Sequence, residues 1–160
     1  MLDDSSIDAV YIGTPHNSHY ELSLKTLRSG KHLLCEKPMT MNSTEAMILL
    51  NEARVNNLFF MEAFMYRCHP LTHKMLEIVK QEFSDQEVLI ESSFGFKADI
   101  TEDHRLKNPA LGGGSILDIG CYPLSMARLI AGNLMGKSFS DPISISAVSY
   151  THLRAHETDI

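Results

Sequence analysis

Cysteine is scarce in this 160-residue chain: Cys35, Cys68 and Cys121, an odd number, widely spaced and without a CxxC pair. That pattern disfavours a disulfide scaffold and points to a reducing, cytoplasmic compartment. Positive charge is also short. Fourteen Lys and Arg stand against twenty Asp and Glu, a formal net charge of −6, which argues against nucleic acid or an anionic membrane as the main partner. No apolar run approaches the ~20 residues needed to span a bilayer. The opening MLDDSSID is acidic and carries no signal-peptide-like stretch. There is no GxSxG elbow to support a nucleophilic serine, no internal repeat and no low-complexity linker. What remains is ordinary globular composition, 44% hydrophobic and 21% charged, at a length that fits one domain or parts of two.

The first third alternates strand and helix patterns. AVYIGTP (Ala9–Pro15) is a short β-branched and aromatic run stopped by Gly13 and Pro15, a buried strand. HNSHYELSLKTLRSG follows, with Tyr20, Leu24 and Leu27 at i, i+4 and i+7, Asn17 or Ser18 as caps, and Gly30 as the stop. KHLLCEKP is a second buried strand, in which Cys35 is a small hydrophobe. In MNSTEAMILLNEARVNN, Asn42 and Glu45 form a capping-box pattern ahead of the apolar face Ala46, Leu49, Leu50 and Ala53. LFFMEAF (Leu58–Phe64) is a third strand. Such alternation implies right-handed crossovers and a parallel sheet with helices on its faces.

After Phe64 the pattern changes. HPLTHKMLEIVKQ predicts a helix with Pro70 in its first turn and Leu71, Met75, Ile78 and Val79 at helical spacing. EVLIESSFGFKA and PISISAVS alternate in polarity, as strands of a one-sided, antiparallel sheet do. Between them GGGSILDIGCYPLSMARLIAG reads as a helix entered from glycines. The fold class is therefore α/β: the C-terminal part of a Rossmann parallel sheet, followed by the start of an α+β open-sheet domain.

Both edges depart from this grammar. A parallel sheet opening at residue 9 lacks a first βαβ unit, and no GxGxxG occurs; the glycines at 112–114 follow a loop rather than a strand. The end, SYTHLRAHETDI over residues 149–160, has no periodicity and resembles translated adapter DNA. It is expected to be a non-native, poorly packed tail on a fragment.

Ligands of open parallel sheets bind at the carboxyl ends of the strands. Three segments should meet there: Thr14-Pro15-His16-Asn17, Glu36-Lys37-Pro38, and Glu62 with Arg67. The bland alternatives are a capped loop for TPHNSH and a surface ion pair for Glu36-Lys37. Asp118 and Tyr122 are four apart and would share one helix face, with Pro123 bending that helix; the alternative is an exposed carboxylate and a packed phenol. His16 with His19, and His69 with His73, have ligand-compatible spacings. Neither pair has an evident third ligand, so no metal site is expected.

The blocks GTPHNSHYELSLKTLRSGKHLLCEKPMTMNSTEA, FFMEAFMYRCHP and RLKNPALGGGSILDIGCYPLSMARLIAG, in this order, resemble the Gfo/Idh/MocA family of NAD(P)-dependent oxidoreductases. The resemblance covers Ile7 to Val148. EKP alone is weakly specific; EKP followed at a distance by RLxxPALGGGSxLDxGCY is strongly so. The MEAFMYRCHP and GCYP blocks look most like the branch of trans-dihydrodiol and D-xylose dehydrogenases, where Tyr stands in place of the His of inositol dehydrogenase-like members.

The resemblance implies a partial Rossmann NAD(P)-binding domain over residues 1–67 and a partial C-terminal α/β substrate and dimerisation domain over 68–148. It implies hydride transfer between a sugar or cyclic diol and NADP or NAD, in a homodimer or higher homo-oligomer, with no nucleic acid or membrane partner. Lys37 and Tyr122 would sit at the reacting carbon and Asp118 would contact substrate. Thr14, Pro15, Asn17, His19, Glu36, Lys37 and Arg67 would line the nicotinamide and ribose. The family's glycine-rich loop and the residues choosing NAD or NADP would lie upstream of Met1, so this fragment is expected to bind NAD(P) weakly and to be inactive alone. The chemistry rationalises the charged pair after a buried strand: an ammonium near Tyr122 would favour phenolate, a base for the hydroxyl proton. Two other classes compete: a catalytically silent cofactor- or sugar-binding regulator, and a metal-dependent hydrolase using the histidine pairs.

Overall fold

The computed structural model describes residues 1–101 and 103–148; the tail expectation for 149–160 lies outside them. Three strands form one parallel sheet in the order β1 (Ala9–Ile12), β2 (His32–Cys35), β3 (Phe60–Glu62). Ile12 lies opposite Cys35, and Cys35 opposite Glu62. Two hydrogen bonds carry the pairing past the strand ends, from Glu36 N–H to Ile12 O at 2.8 Å and from Ala63 N–H to Cys35 O at 2.7 Å. The third strand is shorter than its apolar run, because the chain turns into a 3-10 helix at Met65–Cys68.

Helices α1 (His16–Arg28) and α2 (Ser43–Val55) supply the two crossovers and pack on each other and on the sheet. Ile12, Leu27, Leu33, Cys35, Leu49 and Ala53 form the core. Gly30, at φ +74°, ends α1 with its N–H on Leu27 O, a conformation that glycine adopts without a Cβ penalty. The capping box on α2 is built: Asn42 Oδ1 accepts from Glu45 N–H at 3.0 Å, and Glu45 reaches back to Met41 N–H at 3.3 Å.

Three sequence expectations are corrected here. Helix α1 begins directly after Pro15 without a side-chain cap, and its buried stripe is His16, His19, Ser23, Thr26 and Leu27. Polar residues are tolerated there because most find partners: His16 and His19 face loop carbonyls, and Thr26 Oγ1 donates to Leu22 O one turn back in the helix. Leu50 of α2 is exposed, since only Leu49 and Ala53 on that helix are buried. The alternating segments 87–97 and 142–148 form no strand. Strand structure needs a neighbour to complete its ladder, and among the described residues the only sheet is the three-stranded one.

Helix α3 (Pro70–Phe83) starts where His69 accepts Leu71 N–H, and packs against α4 (Cys121–Leu134). A π turn over Ile116–Gly120 leads into α4. The chain then doubles back: Lys137 N–H bonds Gly132 O, Ser140 N–H bonds Arg128 O, and the Arg128 guanidinium lies 4.8 Å from the Phe139 ring centroid.

Gly132 allows this close return. A Cβ there would fall 2.3 Å from Phe139 Cα. Gly132→Ala should therefore lower the unfolding free energy by about 1–3 kcal/mol, read as a lower urea midpoint; an unchanged midpoint would mean that the returning segment simply yields. Cys35 has no exposed surface, and burial pushes its thiol up to about 11. Its native value exceeds the unfolded one, so the associated stability is present below the ordinary thiol value and is lost as pH climbs through about 11. At mildly alkaline pH, iodoacetamide should label exposed Cys68 first and Cys35 only on unfolding, as peptide mass mapping would read.

Candidate active site

The register of the sheet brings Thr14, Glu36 and Glu62 to one end, and the segment after β2 is held there from two sides. His19 on α1 lies 2.7 Å by Nδ1 from Pro38 O and 2.7 Å by Nε2 from Thr14 O. Both oxygens can only accept, so it is ring N–H that fastens the two loops. From the other side, Glu62 at the end of β3 accepts Met39 N–H at 2.8 Å. Burial raises the Glu62 carboxyl, opposed by its bond to Met39 and by the Arg67 and His19 charges. The Lys37–Pro38 peptide between these anchors is cis. Glu36 is held locally, by Tyr11 Oη–H at 3.0 Å and by Lys37 N–H at 3.2 Å.

Lys37 thus projects into a cleft of about 350 Å3 lined by residues including Thr14, Pro15, Glu36, Arg105 and Asp118. Its ammonium donates to Asp118 O and lies 3.5 Å from Asp118 Oδ1. Both side chains are nearly covered, at 14% and 11% exposure. The same ammonium is 5.2 Å from the centroid of the Tyr122 ring, which also packs edge-on against Phe64 and Phe94, each 5.5 Å away between centroids. A second, mostly apolar pocket of about 220 Å3 lies on that side of Tyr122, between Tyr66, Phe94 and Met126. Tyr122 therefore lines the aromatic pocket and turns its ring to the Lys37 ammonium.

The loop carrying Arg105 closes the charged cleft. Its carbonyls turn inward, Leu106 O accepting Gly114 N–H at 2.7 Å and Asn108 O accepting Gly113 N–H at 3.0 Å. A Cβ on Gly113 would meet three such carbonyl oxygens at 2.7–2.8 Å. Gly112, at φ +72°, rests on His16, whose Nδ1–H reaches Gly112 O at 3.2 Å. Burial chiefly lowers the His16 basicity, opposed by the bond to Gly112 and helped by the charges of Arg105 and Lys37.

Thr14, Pro15, His19, Glu36, Lys37 and Asp118 thus line one cleft, with Tyr122 across the Lys37 ammonium. Two sequence-selected residues do not line it. Asn17 is exposed on the first turn of α1, and Arg67 turns to α4, where Nη2 donates to Ser125 Oγ at 3.0 Å beside the Tyr66 hydroxyl. His19 is inside but has no exposed surface; it holds two loops rather than offering a ligand contact. Burial first, then the charges of Cys121, Glu36 and Asp118, push the Tyr122 phenol up. Sequence reading missed Arg105 as a cleft residue, while His16 falls in the Thr14–Asn17 segment expected there. Arg105 opens the RLKNPALGGG block, and the signal was its fixed distance from the glycines. Among the described residues no cluster of His, Cys, Asp and Glu suits a metal ion, and no helix is long and apolar enough to cross a membrane.

Residues 1–64 match the model of an oxidoreductase family with an NAD-binding Rossmann fold, GFO_IDH_MocA. The chain belongs to the Gfo/Idh/MocA oxidoreductases. It is 41% identical over 82% of its length to a D-xylose 1-dehydrogenase (NADP(+)) of Haloferax volcanii, covering 40% of that protein. It is 33% identical over 95% of its length to the trans-1,2-dihydrobenzene-1,2-diol dehydrogenase of Xenopus tropicalis, covering 44% of it. Among solved structures, a 3-ketoreductase of Actinomadura kijaniata with NADP and TDP-benzene superimposes with a TM-score of 0.69 at 34% identity, over 82% of this chain and 40% of that one. The chain thus spans less than half the length of these relatives.

The two-sided clamp at Pro38 makes His19→Leu informative. It keeps similar bulk but leaves two buried carbonyl oxygens without donors, and should cost about 1–3 kcal/mol in urea unfolding. Loss below about 0.5 kcal/mol would mean that the carbonyls find other donors.

Proposed function

We propose that the protein carrying this chain is an NAD(P)-dependent dehydrogenase that transfers hydride between a sugar or cyclic diol and the nicotinamide. One observation carries the reading: Lys37 and Asp118, 81 positions apart, are brought into ion-pair contact with both side chains nearly covered, beside the ring of Tyr122. Paired, buried charges with a titratable hydroxyl suit proton exchange with a substrate alcohol. Thr14, Pro15 and Glu36 are suited to the nicotinamide and ribose end, because they lie where ligands of parallel sheets bind. Among the described residues no glycine-rich turn for a pyrophosphate follows a strand, so these residues fit one end of the cofactor only. NADP or NAD, when bound, supplies the hydride acceptor.

This chain's residues then act on the hydroxyl. Tyr122 exchanges its phenolic proton with the substrate oxygen, its ring positioned by Phe64 and Phe94. Lys37 holds the substrate oxygen and Asp118 in one geometry, and its charge favours the oxyanion that forms as the proton leaves. The raised phenol makes Tyr122 a ready acid in the reducing direction. Oxidation would therefore need a further positive charge, which an oxidised nicotinamide would supply. The names of the sugar and diol dehydrogenases among the relatives support the substrate class. The apolar residues that α3 leaves exposed, Leu71, Ile78 and Phe83, support a homodimer or higher homo-oligomer, and three free cysteines support a reducing, cytoplasmic setting.

In the full-length protein in which this chain occurs, Lys37→Met and Tyr122→Phe should each lower kcat by about 10²–10⁴-fold. The double variant should lose much less than the product, since each residue works through the other. Near-normal kcat in Tyr122→Phe, with an unshifted pH profile, would remove the phenol from proton transfer. Normal ligand binding without any turnover in the wild type would favour a silent binding protein.

A further inference from the structure

Ser125 is buried in α4, and its hydroxyl receives two donors from another element. Tyr66 Oη–H reaches Ser125 Oγ at 2.8 Å, and Arg67 Nη2–H reaches it at 3.0 Å. A hydroxyl oxygen has two lone pairs, so both are taken. The donors are neighbours on the 3-10 helix Met65–Cys68, which Thr72 fastens to α3 by donating to Tyr66 O at 2.7 Å. Arg67 Nε is buried and finds no partner among the described residues, which makes the bond from Nη2 to Ser125 costly to lose. Alanine would suit a helix better than serine; what the hydroxyl contributes is the pair of bonds. Ser125 also stands three positions after Tyr122, and residues at that spacing share a helix face. The start of α4 has little local restraint, since it follows a π turn and has no side-chain cap. The Tyr122 ring meets Phe64, Tyr66 and Phe94, but ring contacts tolerate a wide range of geometries. Hydrogen bonds are directional. Asp118 is tied to Lys37 on the turn before Tyr122, and Ser125 supplies the directional bonds on the turn after it.

We infer that Ser125 is a positioning residue: by binding Tyr66 and Arg67 it sets where α4 holds the Tyr122 hydroxyl relative to the Lys37 ammonium. Ser125 lines neither the charged cleft nor the aromatic pocket, so it acts through Tyr122 rather than on a ligand. Its effect on turnover rests on the hydride-transfer reading above; its effect on the ring rests on the hydrogen bonds alone. Without the hydroxyl, the ring contacts still keep Tyr122 in the same region. They no longer fix its reach toward the substrate oxygen.

The test uses the full-length protein in which this chain occurs, with D-xylose and NADP. Ser125→Ala should lower kcat by about 10-fold, below the ~10²-fold that a misplacement of a whole ångström costs. KM should stay within about 2-fold. In a Tyr122→Phe background the same change should cost less than about 2-fold, because no phenol is left to position. Ser125→Thr keeps the hydroxyl and should recover most of the lost kcat. Tyr66→Phe removes one donor without touching α4; it should lower kcat in the same sense by a smaller factor, and it carries the test if Ser125→Ala does not fold. Where Tyr122→Phe itself lowers kcat, an equal loss with and without the phenol is the mark of a merely structural serine and overturns the inference. So does normal kcat in Ser125→Ala or Tyr66→Phe. If the wild type turns over neither D-xylose nor a trans-cyclohexanediol, or if Tyr122→Phe keeps normal kcat, the reading above fails and the ring position is decided by NMR of tyrosine labelled at Cζ. The signal that vanishes in Tyr122→Phe should move in Ser125→Ala and return in Ser125→Thr. Any other pattern rejects the positioning role.

Discussion

The ammonium of Lys37 is the junction on which the cleft depends. It leaves the C-terminal end of a buried strand, crosses to a helix 81 positions later, and meets both the backbone and the carboxylate of Asp118. A buried cation is costly unless its charge and all its hydrogens are accommodated. Here a carbonyl, a carboxylate and the face of an aromatic ring share that task. Asp118 in turn is buried because two cations attend it. Removing either partner would leave the other unpaired, so the two halves of the cleft are mutually required.

The precision of that junction comes from the segment behind it. His19 reaches from α1 and Glu62 from β3, fastening Pro38 and Met39 through three hydrogen bonds when the Thr14 contact is included. None of these groups needs to touch a ligand to matter. They convert a flexible strand-end loop into a fixed platform, and so hold the ammonium near the phenol and the carboxylate together. The chemistry is concentrated in a few exposed atoms, supported by several buried ones.

The electrostatics divide the labour across Tyr122. On one side lie Lys37, Asp118 and Arg105; on the other, Phe64, Phe94 and Tyr66. Burial first, then the charges of Cys121, Glu36 and Asp118, raise the phenol.

Much of this was legible in the residues themselves. The three parallel strands, their two helices, the stop at Gly30 and the Asn42 cap follow from periodicity and local capping chemistry, which act within a few residues of one another. The strand ends at Thr14 and Glu36 follow too, since parallel topology places carboxyl ends together. The family blocks marked Lys37, Asp118 and Tyr122. Three-dimensional packing decided the rest. Whether His19 faced a ligand or two carbonyls depended on where the Pro38 loop lay. Arg67 turned away because Ser125 came within reach on α4. The alternating segment of Phe94 and Phe96 gained no ladder because no strand stood beside it. Arg105 entered the cleft only because a glycine loop folded onto His16. Each outcome depended on a partner distant in sequence, and such partners carry no local signal.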